Sequence, residues 1–134
     1  KILKSQTKNR KNFDDKMLKI RDLGFQFVEA LENQNFDKYG MLLDDHWRYK
    51  RQLSAQMSHS KVDSVYNYLK NESLILGGKI IGAGGGGFLM VYVPCETKFK
   101  KVDHIMEENQ MNKLDYALDQ EGATTIYEQW RKIL

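Results

Sequence analysis

The stretch Gly77–Pro94, GGKIIGAGGGGFLMVYVP, constrains the fold most: seven of the chain's ten glycines lie between Gly77 and Gly87, and its only proline closes the run. Glycine loses more backbone freedom on folding than any other residue. Such density is expected only where the chain takes positive φ or something approaches the backbone closely. Two short runs rich in β-branched and aromatic residues, Lys79–Ile81 and Phe88–Val93, flank the glycines. The stretch therefore reads as strand, glycine loop, strand. Bare N–H groups in such a loop can turn inward together and cradle phosphate oxygens.

Everything before the loop has helical spacing. Phe13, Met17, Ile20, Gly24, Phe27 and Leu31 recur at 4-3-4-3-4, which predicts an amphipathic helix of about five turns with Gly24 on its inner face, where another backbone could pack. Asn35 is placed to cap a second helix carrying Phe36, Tyr39, Leu43, Trp47 and Leu53 on one side and ending near 54–57. Ser58 or Ser60 is expected to cap a third, with Val62, Val65, Tyr66 and Leu69 inward and Ser60–Asp63 spaced as a capping box. Gly77-Gly78 is expected to end this helical region as a cap or turn. After Pro94, Thr97–Glu108 returns to helical spacing through Phe99, Val102, Ile105 and Met106. Two alternating segments follow, Leu114-Tyr116-Leu118 and Ala123-Thr125-Tyr127, joined by a turn at 119–122, with a short helical tail from Glu128 to Leu134. The order α-α-α-β-loop-β-α-β-β implies an α+β domain with helices packed on an antiparallel sheet.

The letters of the loop fit several phosphate motifs, and context separates them. Gly82, Gly84 and Gly87 match G-x-G-x-x-G, but a dinucleotide loop opens a helix, whereas this one opens into FLMVYVP. A Walker loop requires Gly-Lys-Ser/Thr, and Phe88-Leu89 stand there instead. A protein-kinase glycine loop lies between strands, yet no V-A-I-K, H-R-D or D-F-G follows. A plain wide turn would need one or two glycines, not a run of four.

The remaining numbers bound the class. A length of 134 residues and 41% apolar content suit one domain with a real core, and 29% charged residues with a mean hydropathy of −0.62 describe a wetted surface. No run approaches a bilayer span and no apolar leader core is visible, so a cytoplasmic location is expected, with no membrane partner. The net charge of +3 is too small to argue for nucleic acid, and the basic cluster from Lys1 to Lys11 is read as solvated. Cys95 is the only cysteine, so no intrachain disulfide can form. The first residue is lysine rather than methionine, as in a processed chain or a fragment of something longer.

Lys79-Ile80-Ile81-Gly82-Ala83-Gly84-Gly85-Gly86-Gly87-Phe88 resembles the third signature motif of the GHMP small-molecule kinases, the family of galactokinase, homoserine kinase and mevalonate kinase. The likeness is strongest to the branch that phosphorylates D-glycero-D-manno-heptose 7-phosphate. It extends through Leu42-Leu43-Asp44-Asp45-His46-Trp47-Arg48-Tyr49-Lys50, Leu53-Ser54, Val91-Tyr92-Val93-Pro94 and Gln120-Glu121-Gly122, covering nearly the whole chain.

The resemblance implies that residues 1–134 are a ferredoxin-like C-terminal kinase domain lacking its first strand. Gly82, Gly84, Gly85, Gly86 and Gly87 would face ATP phosphates held by the enzyme's own N-terminal domain, and Lys79 would add charge toward a sugar phosphate. It also implies ATP and Mg2+ in the full-length enzyme. The other two family motifs, including P-x-x-x-G-L-G-S-S-A, are absent from these residues. The chain alone is therefore expected to hold no cofactor, metal or catalytic residue and to be inactive. The missing strand would leave a sheet edge open to self-association. The reading from a different class is a stand-alone anion- or ligand-binding regulatory module without catalysis.

The other polar residues have ordinary expected roles. His46, His59 and His104 lack metal spacing and are expected at the surface or at caps. Asp44 and Asp45 are expected to point apart toward water, Trp47 into the core, and Lys50, Arg51 and Lys79 into solvent. Cys95 has no neighbouring base that would make it a nucleophile.

Overall fold

The computed structural model describes residues 10–53, 59–82, 87–117, 119, 120 and 122. Four helices, α1 (Arg10–Glu32), α2 (Phe36–Leu53), α3 (Ser60–Asn71) and α4 (Phe99–Glu108), surround one antiparallel pair, β1 (Gly77–Ile81) and β2 (Phe88–Tyr92). The α+β class and the antiparallel pairing agree with the sequence.

The first helix forms where its periodicity places it, but with its packed face turned. Leu23 and Ala30 are buried against Leu42 of α2, with Phe27 and Tyr39 packed edge-on at 5.1 Å. Met17, Leu31 and Gly24 lie outside, and a Cβ on Gly24 would meet nothing within 4 Å. The expectation that Gly24 admits another backbone is therefore wrong. Ile20 and Phe27 of the expected stripe are half-buried, so the packed face is the expected one turned toward Leu23 and Ala30. A further apolar stripe, Leu18, Phe25 and Val28, is exposed.

The Asn35 carboxamide accepts from the Lys38 backbone N–H at 3.0 Å, as an N-cap should. The α3 cap differs from expectation. His59 occupies the N-cap with extended backbone and no side-chain capping bond, and Ser60 is already helical. No capping box forms, because the Asp63 carboxylate turns to Arg51 instead, at 3.1 Å. Ser58 lies outside the described residues.

Three helices stop by one device that contains no glycine. Gln34, Ser73 and Gln110 take φ of 53, 52 and 57. The next residue's N–H then reaches back five residues, Asn35 to Ala30, Leu74 to Leu69 and Met111 to Met106, at 2.8–2.9 Å. These are Schellman turns closing α1, α3 and α4. Since Ser73 ends α3, Gly77 and Gly78 are not its cap. They are the first residues of β1.

The hairpin register pairs Gly77 with Tyr92, Lys79 with Met90 and Ile81 with Phe88 on one face, and Gly78 with Val91 and Ile80 with Leu89 on the other. The second face joins the main core of Trp47, Val65, Tyr66, Leu69, Leu74, Ile75, Val102 and Ile105. Five fully buried side chains, Trp47, Tyr66, Leu42, Leu69 and Ile75, stabilise the fold by roughly 1.5–3 kcal/mol apiece.

The first face lies against α2 so closely that only glycine fits. A Cβ on Gly77 would sit 2.1 Å from the Gly40 carbonyl oxygen and 2.7 Å from the Asp44 amide nitrogen. A Cβ on Gly40 would meet the Tyr92 ring at 2.4 Å.

After Pro94, a 3₁₀ turn over Glu96–Lys98 leads into α4, which buries Val102 and Ile105 but leaves Phe99 exposed. The first alternating segment expected near the end is not a strand. Residues 111–117 have no regular secondary structure, and Leu114 and Tyr116 are exposed. With Leu114 and Tyr116 both in water, this segment buries too little to hold a strand without a partner. Gly122 has φ 71, as a turn requires. The second segment and the tail at 123–134 lie outside the described residues.

Candidate functional site

The glycine hairpin closes at both ends on positive φ. Gly82 leaves β1 with φ 135 and Gly87 enters β2 with φ 129, a region that L side chains rarely adopt. A Cβ on Gly87 would also stand 2.1 Å from the Ile81 carbonyl oxygen. These two positions bear out the strand–loop–strand reading, while Gly84, Gly85 and Gly86 lie outside the described residues.

Lys79 does not point freely into solvent. It stands third in β1 on the face turned to α2, half-buried, and across that contact lie His46 and Lys50. Burial and the Lys50 charge lower the Lys79 pKa. His46 is affected more strongly. Burial and then the charges of Lys79 and Lys50 lower its pKa to about 4, so the ring is neutral at pH 7. The His46 ring lies edge-on to Phe27 of α1 at 6.4 Å, and its Nδ1 is buried with no hydrogen-bond partner among the described residues. Of the three histidines, His59 and His104 are exposed as expected, His104 within 3.4 Å of Glu108, and His46 is the exception.

The neighbouring charges on α2 are all engaged elsewhere. Asp44 faces inward, contrary to expectation. It accepts from the Tyr66 hydroxyl at 2.5 Å and pairs with Lys70 at 3.1 Å, while Lys70 also donates to the Leu76 carbonyl. Burial, followed by the Asp44 carboxylate, raises the Tyr66 pKa far above its usual value. Asp45 pairs with Arg48 at 2.6 Å. Arg51, expected in solvent, pairs with Asp63 and lies over the Trp47 ring at 5.7 Å. Trp47 is buried as expected. Cys95 is exposed with its sulfur 3.0 Å from the Thr97 hydroxyl, whose hydrogen bond lowers the thiol pKa; no base adjoins it.

Sequence reasoning could have found the cation cluster from a single signal. Gly40 and Gly77 make helix and strand touch directly, which brings Lys79 level with the residues that follow Asp44.

Among the described residues no three His, Cys, Asp or Glu side chains converge to hold a metal. No described helix is long and apolar enough to cross a membrane. Among the described residues a shallow groove lies between α3 and α4, lined by Ser64, Val65, Tyr68, Ile105, Glu108 and Asn109. It carries one acid and no cation, the wrong sign for phosphate.

The chain is 32% identical over 91 residues to the bifunctional fucokinase/GDP-fucose pyrophosphorylase of Arabidopsis thaliana, covering 68% of this chain and 8% of that protein. It is 27% identical over 112 residues to the D-glycero-alpha-D-manno-heptose 7-phosphate kinase of Campylobacter jejuni, covering 84% and 31%. It is 27% identical over 84 residues to the L-fucokinase/L-fucose-1-P guanylyltransferase of Bacteroides fragilis, covering 63% and 9%. These relatives are sugar kinases. The chain spans less than a third of the length of each. No family model matches the chain, and no solved structure matches it significantly.

Proposed function

We propose that this chain is the C-terminal domain of a GHMP-type, ATP-dependent sugar kinase, and that its glycine hairpin lines the cleft where a phosphoryl group passes to a heptose phosphate. The observation that carries the reading is the hairpin itself: a loop entered and left through positive-φ glycines, in a chain whose relatives are sugar kinases. Phosphoryl transfer rests on positioning and on stabilising charge spread over oxygens. Backbone N–H groups without side chains in the way suit that task, and Gly82, Gly84, Gly85, Gly86 and Gly87 supply them. The likeness to a heptose 7-phosphate kinase covers 84% of the chain, more than the likeness to either fucokinase, which favours the heptose phosphate.

ATP, the N-terminal domain that binds it and the catalytic groups belong to the rest of the enzyme. Magnesium does not fit the residues here, because the carboxylates nearest Lys79 are bound to Tyr66, Lys70 and Arg48 and do not converge. The isolated chain is inactive on this reading. Among the described residues the sheet has two strands, and an edge of it is where a second copy would add a strand.

The test is turnover of the full-length enzyme, followed by ADP release with heptose 7-phosphate and with fucose. Gly84→Val and Gly86→Val are each expected to cut turnover at least ~100-fold, as loss of a preorganised oxyanion donor does. Unchanged turnover with a folded protein refutes the role of the loop.

A further inference from the structure

Two lysines and a histidine gather at the foot of the glycine hairpin, and the packing of the backbone explains why. Gly77 is seated on the Gly40 carbonyl and the Asp44 amide. From that contact β1 advances about 3.3 Å per residue, which carries Lys79 some two residues along. On α2, His46 and Lys50 are four residues apart and share one helix face. The group sits three residues before Gly82, where the loop begins.

The other cations around this corner are compensated. Arg48, Arg51 and Lys70 each have a carboxylate at 2.6–3.1 Å. Among the described residues, Lys50 and Lys79 have none, although both are half-buried. From α1 the only group known to face His46 is the uncharged Phe27 ring, and from α2 and β1 it is Lys50 and Lys79. Like charges held together without a counterion destabilise the fold, an arrangement that recurs where an anion is to be received.

We propose that Lys50, Lys79 and His46 form a receiving site for a terminal phosphate group at the root of the glycine loop. The proposal rests on the sugar-kinase reading only for which phosphate arrives, either the one already on the sugar or the terminal phosphate of the nucleotide. A dianion matches two ammonium groups in charge. Such charge-assisted bonds are short and strong where water is partly excluded. His46 then serves as the reporter. Burial is the main cause of the low His46 pKa, and the two lysines add to it. A phosphate beside the ring, a monoanion at the acid pH where the ring titrates, offsets the lysines' part and raises the midpoint as the site fills.

The 134-residue chain is titrated by NMR, following the His46 ring from pH 3 to pH 8 in inorganic phosphate and in sodium chloride of equal ionic strength. Phosphate is expected to raise the His46 midpoint by at least ~1 unit over chloride. K79Q and K50Q should each weaken phosphate binding ~10-fold, as loss of one charged hydrogen bond does. Circular dichroism confirms their fold, and K79R should keep most of the affinity. Mannose 6-phosphate binding more tightly than ATP assigns the site to the sugar's phosphate; the reverse order assigns it to the nucleotide. Equal midpoints in phosphate and chloride, or K79Q and K50Q that bind like the parent, overturn the site. Those results leave the kinase reading standing if the full-length enzyme turns over. An inactive full-length enzyme with an intact phosphate response removes the kinase reading and not the site.

Discussion

Replacing Gly77 by alanine tests the contact on which the geometry of the site depends. The new methyl would stand 2.1 Å from the Gly40 carbonyl oxygen and 2.7 Å from the Asp44 amide nitrogen, both backbone atoms in the middle of α2. An unstrained carbon–oxygen contact lies near ~3.3 Å, so helix and strand must separate by about 1 Å. No side chain can swing aside to relieve this. Overpacking alone costs about 1–3 kcal/mol, and a gap of that size forfeits part of the dispersion along the interface. We expect a total loss of roughly 3 kcal/mol, a large share of the 5–15 kcal/mol typical of a domain. In a chain of this size that lowers the melting temperature by roughly 10 °C. The assay is urea and thermal unfolding followed by tryptophan fluorescence and circular dichroism. Gly24→Ala is the matched control, because its Cβ meets nothing and it sits inside a helix. It should gain about 0.5–1 kcal/mol. A Gly77→Ala protein melting within ~2 °C of the parent refutes the backbone contact.

Ser73→Gly should stabilise the chain by about 1 kcal/mol in urea unfolding, because it relieves an L residue at φ 52 without disturbing the turn. Acid should weaken the fold through His46. Its folded pKa of about 4 lies below the ordinary 6.5, so the unfolded chain binds more protons between those values. Stability from this group is full above pH 6.5, falls as the pH drops toward 4 and levels off below. Screening at a half-exposed ring reduces the effect to about 1–2 kcal/mol. His46→Gln should remove that part of the pH slope in denaturation measured at pH 7 and at pH 4.5; a parent His46 midpoint near 6.5 by NMR contradicts the assignment.

Side-chain periodicity made the four helices legible, and glycine density made the hairpin legible, since both signals are local. The Asn35 cap and the inner face of α3 were legible for the same reason. The turn of the buried face of α1 was not, because a further apolar stripe runs beside it and only packing against Leu42 sets the angle. Helix ends were hidden where Gln34, Ser73 and Gln110 take a conformation usually assigned to glycine. Gly77-Gly78 looked like a stop, but Gly77 reports a neighbour 37 residues away in sequence at Gly40, and Gly78 the close backbone of β2 at Met90 and Val91. The site followed the same division. Gly82 and Gly87 declared themselves, whereas Lys79 looked solvated because nothing in its own strand indicates that α2 lies over it.

The carbonyl of Gly40 and the amide of Asp44 meet the strand with no side chain between them, so this junction has no soft layer that can absorb a displacement. If α2 tilts as substrates enter or leave, β1 tilts with it, and the ammonium groups of Lys50 and Lys79 travel together. The spacing of the two lysine backbones is then a property of the main chain, fixed before any ligand arrives, and the four-carbon stems supply the remaining reach of each ammonium group.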